Sequence, residues 1–157
     1  MSSADKNLSS FSSELPSNPE AKIGIAVSEW NEEVTGALLK GTLDTLHEAD
    51  VAKENITIVH VPGSYELILA SQLLAQRDDI DAVITIGCVI QGETRHFDFI
   101  CSAVAHGVAD VNLKYNKPVI FGLLTPDNQQ QALDRAGGKH GNKGEEAAYT
   151  ALRMLDI

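Results

Sequence analysis

Cysteine is scarce in this 157-residue chain, and proline, aromatic and basic side chains are few as well. The two cysteines, Cys88 and Cys101, cannot build a disulfide framework, and their separation fits no zinc motif. Both stand in apolar runs, where a reduced cysteine behaves as a small buried hydrophobe. No stretch approaches the roughly 18 to 20 apolar residues of a membrane span. The first residues lack the basic-then-apolar order of a secretory signal. A cytoplasmic protein with no membrane partner is therefore expected. Lysine and arginine together number 12 against 22 aspartates and glutamates, for a formal net charge of −10. That balance argues against nucleic acid as a partner, because neutralising phosphates needs a basic face. An anionic small molecule stays compatible wherever a few cations gather.

What is present suffices for one domain with one core. Residues 1–20 are rich in Ser, Asn and Pro, with isolated Leu8, Phe11 and Leu15. They read as an arm, either disordered or ordered only against another subunit. Residues 21–157 form the domain. Lys22 to Val27 is a β-branched strand, and Asn31 caps a helix that opens with Glu32 and Glu33. Ile56 to Val61 is the second strand. Ser64 is placed to cap a helix running to about Gln76, apolar on most sides and expected to be buried. Asp81 to Gly87 is the third strand, and Phe97, Ile100, Cys101, Val104, Val108 and Val111 form one helical stripe. Pro118 to Leu123 is the fourth strand. Thr125-Pro126-Asp127 begins a short helix that stops at Gly137-Gly138. Asn142 with Glu145 reads as a capping box for the last helix.

Apolar strands alternating with helices predict an α/β sandwich of three layers around a parallel sheet. In such sheets ligands bind beyond the carboxyl ends of the strands. The polar and aromatic residues of unusual placement concentrate there. Trp30, the only tryptophan, follows the first strand directly; it can stack on a planar heterocycle or simply pack. Ser64, Tyr65 and Glu66 open a helix, where they can meet an oxygen-rich ligand or merely cap and complement the dipole. Gly92 to His96 also leads into a helix and suits an anion, although Arg95 can as well point to solvent. Among the five histidines only His96 lies in a strand-end loop, which makes it the candidate for proton transfer. Asp98 lies two residues on and does not face it along a helix. Arg135, Lys139 and Lys143 form a basic, glycine-rich cluster in an otherwise acidic chain, open to reading as an anion site or as a helix-to-helix turn.

Five colinear segments carry a resemblance: Ile23 to Val27 through Trp30-Asn31, VPGSYE at 61–66, ITIGCVIQGETRHFDFIC at 84–101, PVIFGLLT at 118–125 and DRAGGKHGNKG at 134–144. Together they resemble the lumazine synthase family from about residue 21 onward. The resemblance implies a flavodoxin-like sandwich with a four-stranded parallel sheet, built into pentameric homo-oligomers with active sites shared between neighbours. It implies an enzyme of riboflavin biosynthesis, a transferase condensing 5-amino-6-(D-ribitylamino)uracil with 3,4-dihydroxy-2-butanone 4-phosphate to 6,7-dimethyl-8-ribityllumazine, phosphate and water. No cofactor or metal is implied. Trp30, Ser64, Tyr65, Glu66 and the Cys88-Val89-Ile90 backbone would hold the pyrimidine or its ribityl chain. Phe121 and Lys143 would line the same site, Phe121 from the neighbour. Glu93, Thr94 and the neighbour's Arg135 would hold the phosphate, and His96 would transfer protons. The family often has phenylalanine where Trp30 stands, and a small residue at Glu93, whose carboxylate is expected to point away. Riboflavin synthase is an implied partner. Some family members form icosahedral capsids of sixty subunits, and the short 137–141 turn tilts towards that over a pentamer or decamer. A non-catalytic flavin or nucleotide binder is the main rival; a receiver domain would need an acidic residue where the third strand ends Ile86-Gly87-Cys88.

Overall fold

The computed structural model describes residues 7–11 and 13–157. Ile23–Ser28 (β1) has β-branched or small apolar side chains up to its last position, and all six residues are buried. That is the pattern of a strand covered on both faces. Helix α1 (Glu32–Glu48) follows, then a 3₁₀ turn at Lys53–Asn55 and β2 (Ile56–Val61). Next come α2 (Leu67–Ala75), β3 (Ala82–Cys88), α3 (His96–Tyr115) and β4 (Val119–Leu124). The chain continues through α4 (Gln129–Asp134), β5 (Ala136–Gly138), β6 (Gly141–Asn142) and α5 (Lys143–Leu155). Strands β1 to β4 make one parallel sheet in the order β2-β1-β3-β4. The expected three-layer sandwich is therefore observed.

Period-two alternation sends the two faces of the sheet to different helix pairs. Ile23, Ile25, Val27, Ile84 and Ile86 pack against Val34, Leu38 and Leu46 of α1 and Ala148, Ala151 and Leu152 of α5. On the other face Ala26 and Val83 meet Leu67 and Leu74 of α2 and Val104, Val108 and Val111 of α3. Each such Leu, Ile or Val removed from water contributes about 1.5–3 kcal/mol before entropy is counted. Helices α1 and α5 cross so closely that a Cβ on Gly144 would overlap the Leu38 carbonyl. The Thr42 hydroxyl bonds both Leu38 O and Gly144 O at this crossing, at 2.9 and 3.1 Å.

Several local expectations are corrected. Asn31 does stand at the N-terminus of α1, but in the left-handed region (φ 61°) and without a side-chain cap. Its amide instead donates to Cys88 O at 2.9 Å. Helix α2 starts at Leu67, so Ser64 contributes its backbone carbonyl to Leu67 N and not a hydroxyl cap. The helix is not buried throughout: Leu69 and Leu73 stay exposed, as do Ile58 and Val59 on the outer strand β2. Helix α4 begins beyond Pro126, capped by Asn128, whose Oδ1 accepts from Gln131 N at 3.0 Å. The glycine-rich stretch after it is a two-stranded antiparallel hairpin, β5–β6. Asn142 caps α5 by accepting from Gly144 N at 2.8 Å, but its own N–H goes to Ser9 Oγ at 2.7 Å and not to Glu145.

Among the described residues of the arm, Leu8 N donates to His140 O, Phe11 stacks on Tyr149 with centroids 4.0 Å apart, and Asn18 N donates to Ala49 O. Leu15 packs against the core. No helix among the described residues is long and apolar enough to cross a membrane.

Candidate active site

The strand order fixes where a crevice opens. From β1 the chain crosses to β2 on one side, and from β2 it returns past β1 to β3 on the other. The loops leaving β1 and β3 therefore part in opposite directions at their carboxyl ends. A crevice of about 520 Å³ lies there, lined by Trp30, Asn31, Gly63, Ser64, Tyr65, Glu66, Cys88, Val89, Ile90, His96 and Ile100. Its size suits a small planar molecule.

Each wall has a local cause. The loop after β1 continues the ladder, with Glu29 N bonding Val61 O and Trp30 N bonding Pro62 O. This lays the indole over Gly63, where a Cβ would come within 3.2 Å of the ring. Trp30 is 69% exposed, so one broad aromatic face is open to the crevice side and solvent. Glu66 Oε2 accepts from Gly63 N at 3.1 Å and closes the 63–66 turn. Ser64 is buried beneath it and Tyr65 is half exposed. Asn31 ties the β1 loop to Cys88 O across the floor. Val89 N bonds Leu124 O and Gln91 N bonds Pro126 O, so the loop after β3 is held to the loop after β4. Burial pushes the Cys88 thiol up to about 11, with Cys101 adding to the shift, and the floor of the crevice is uncharged.

His96 is the first residue of α3 and is exposed at the crevice rim. Its N–H donates to Thr94 Oγ1 at 3.4 Å, a loose closure of the 92–96 loop. Glu93 and Thr94 are exposed in that loop. Asp98 turns to Arg95 at 3.6 Å, in line with the expectation that it does not face His96. Arg95 also lies 5.8 Å above the Phe99 ring.

Phe121, Arg135 and Lys143 stand apart from this crevice. Phe121 and Lys143 line a separate depression of about 360 Å³ between β4 and α5, together with Glu146. Arg135 Nη2 bonds Glu146 Oε1 at 2.6 Å and its Nη1 bonds His140 O at 2.6 Å. Lys143 Nζ bonds the other oxygen, Glu146 Oε2, at 3.2 Å. One carboxylate thus fixes both cations, each only partly exposed. Of the residues singled out in the sequence, a single chain gathers Trp30, Ser64, Tyr65, Glu66, Cys88, Val89, Ile90 and His96 in one crevice, with Glu93 and Thr94 on the approach. It does not bring Phe121, Arg135 or Lys143 to it. Sequence reasoning missed Asn31 as a wall and Glu146 as the joint of the cations. The signal for Asn31 was a residue that tolerates positive φ directly after a strand; nothing in the sequence sets Glu146 apart from any acidic residue in a first helical turn.

Fold and crevice define a flavodoxin-like α/β protein with its cavity at the topological switch point. A family model described as 6,7-dimethyl-8-ribityllumazine synthase matches residues 20–157. A 6,7-dimethyl-8-ribityllumazine synthase of Cytophaga hutchinsonii is 61% identical over 155 residues, 99% of this chain and 98% of that protein. Proteins of the same name from Porphyromonas gingivalis and Flavobacterium johnsoniae are 52% and 47% identical, each over 100% of this chain, covering 98% and 83% of their own lengths. The chain belongs to the 6,7-dimethyl-8-ribityllumazine synthase family.

Proposed function

We propose that the crevice at the β1–β3 switch point is the pyrimidine half of an active site completed by a neighbouring subunit. The protein is a transferase of riboflavin biosynthesis. It condenses 5-amino-6-(D-ribitylamino)uracil with 3,4-dihydroxy-2-butanone 4-phosphate, giving 6,7-dimethyl-8-ribityllumazine, phosphate and water. The observation that carries the site assignment is the convergence of an exposed indole and an imidazole on one cavity beside the Cys88-Val89-Ile90 segment.

In this reading Trp30 stacks on the pyrimidine, while Ser64, Tyr65, Glu66 and the Cys88-Val89-Ile90 backbone hold its polar edge and ribityl chain. Glu93, through its backbone, and Thr94 receive the phosphate at the start of α3. Phe121, Arg135 and Lys143 arrive from the adjacent subunit. Separation of these three from the crevice within one chain supports that arrangement, as does the exposed apolar groove of Val59, Tyr65, Leu69 and Leu73. The oligomer is built from pentamers, with residues 1–20 as its arm and 21–157 as its domain. Riboflavin synthase is a candidate partner, as the enzyme that consumes the product, and the cytoplasm is the expected location.

The chemistry follows from these placements. The pyrimidine amine attacks the ketone and loses water to give an imine. Phosphate departs by elimination, the enol tautomerises, and the ring closes with loss of a second water. Every step moves a proton, which His96 accepts or returns. Arg135 stabilises the leaving anion through charge-assisted hydrogen bonds. Holding both substrates together removes much of the entropic barrier.

Mixing both substrates with the protein is expected to release inorganic phosphate and form the lumazine chromophore together. His96→Ala should lower kcat by about 10²-fold or more. A binder without catalysis would release no phosphate, and that result would refute the assignment.

A further inference from the structure

The residues that fix Arg135 and Lys143 are themselves held by the N-terminal arm. Ser9 Oγ accepts from Asn142 N at 2.7 Å, and its single proton is shared by Asn142 O at 3.0 Å and Glu146 Oε1 at 3.4 Å. Glu146 Oε1 is the oxygen that binds Arg135. Leu8 N donates to His140 O, the carbonyl that also receives Arg135 Nη1. Ser9 and Leu8 therefore touch both anchors of the guanidinium. Phe11, stacked on Tyr149 within 5° of parallel, fixes the arm along α5. Gly141 is shaped to receive it: its φ is +84°, and a Cβ there would collide with Asn7 Oδ1 and Ser9 Oγ. The hairpin gives up a side chain where the arm lies across it.

We infer that Ser9 is a positioning residue for the anionic substrate: through Asn142 and Glu146 it sets the geometry of Arg135, the cation that meets the phosphate. This deepens the reading in which Arg135 binds that phosphate. The β5–β6 hairpin is short, three residues against two, and has little ladder of its own. Arg135, the residue that joins α4 to this hairpin, needs outside support to present its remaining N–H donors in a fixed fork. The arm supplies that support from the opposite end of the chain. Removing the Ser9 hydroxyl leaves Asn142 N–H without its acceptor and Glu146 Oε1 with one donor fewer. The guanidinium then samples more orientations, and the anion binds more weakly.

The test is steady-state kinetics on the full chain, with KM for each substrate measured at saturation of the other. Ser9→Ala should raise KM for the keto-phosphate about three- to tenfold, the loss of one or two ordinary hydrogen bonds. KM for the pyrimidine should stay within about twofold, since among the described residues no hydrogen bond joins the arm to the first crevice. Ser9→Thr keeps the hydroxyl and should restore most of the loss. Phe11→Ala should act in the same direction, and covers the case in which Ser9→Ala folds poorly. Ser10→Ala is the control, because among the described residues that hydroxyl bonds Asn7 O and neither anchor of the guanidinium. Equal rises in both KM values, no rise at all, or failure of Ser9→Thr to rescue would overturn the inference. Arg135→Ala separates the two levels. If it leaves the keto-phosphate KM unchanged, the phosphate reading itself is wrong; if it raises that KM while Ser9→Ala does not, only the role of Ser9 is wrong.

Discussion

Trp30 leaves most of its surface unburied, an unusual state for the residue with the largest apolar side chain. From the sequence it could stack on a ligand or simply pack; its exposure keeps the indole out of the core, and the ring lies against the Gly63 turn at the crevice edge. Trp30→Ala should raise KM for the pyrimidine about five- to tenfold, the worth of one aromatic stacking contact, with the keto-phosphate KM little changed. Cys88 shows a different residue-level consequence. Its thiol is raised from an ordinary 9.0 to about 11 by burial. The folded state therefore favours the neutral thiol, and this contribution is complete below pH 9.0. It is lost as the pH rises through about 11, because the unfolded thiol ionises first. Denaturant midpoints should fall across that window, and fall less in Cys88→Ala. At neutral pH, alkylation should reach the half-buried Cys101 before Cys88.

At the level of elements, the strands and the long helices were legible because their periodicities are strong. β1 and β3 are continuous apolar runs, and α3 shows Val104, Val108 and Val111 at helical spacing. What was hidden lies at ends and edges. Asn31, Ser64 and Asn142 all look like caps, yet only Asn142 uses its side chain so: the Asn31 amide goes to Cys88 O, and α2 does not begin until Leu67, past the reach of a Ser64 cap. The β5–β6 hairpin is too short for any alternation to register, and its glycines read as a plain stop. The exposure of Leu69 and Leu73 was also unreadable, since an apolar helix face looks the same whether its cover is the same chain or another. Gly144→Ala tests the tightest element contact. A methyl there strikes the Leu38 carbonyl at the α1–α5 crossing and strains the Thr42 bridge. Stability should drop by about 1–3 kcal/mol or more in urea titration, with the yield of folded protein falling in parallel.

On the scale of the whole molecule, two incomplete halves of a site on one chain predict complementation. His96→Ala and Arg135→Ala oligomers should each be nearly inactive. Dissociated and reassembled together in equal amounts, they should recover up to about a quarter of wild-type activity, since random mixing pairs an intact His96 with a neighbour's intact Arg135 in that share of interfaces. Absence of recovery would place both residues within one subunit's site. Leu69→Glu, on the exposed groove of α2, should shift light scattering to smaller species and abolish phosphate release with it, a charge on that apolar face opposing burial. The arm's grip on α5 carries one last implication, for the order of events at the ribosome. Ser9 leaves the exit tunnel 133 residues ahead of Asn142, and Phe11 likewise precedes Tyr149. The nascent chain can close its sheet while the opening segment still dangles, so competence towards the anionic substrate is acquired only after translation has passed the last helix.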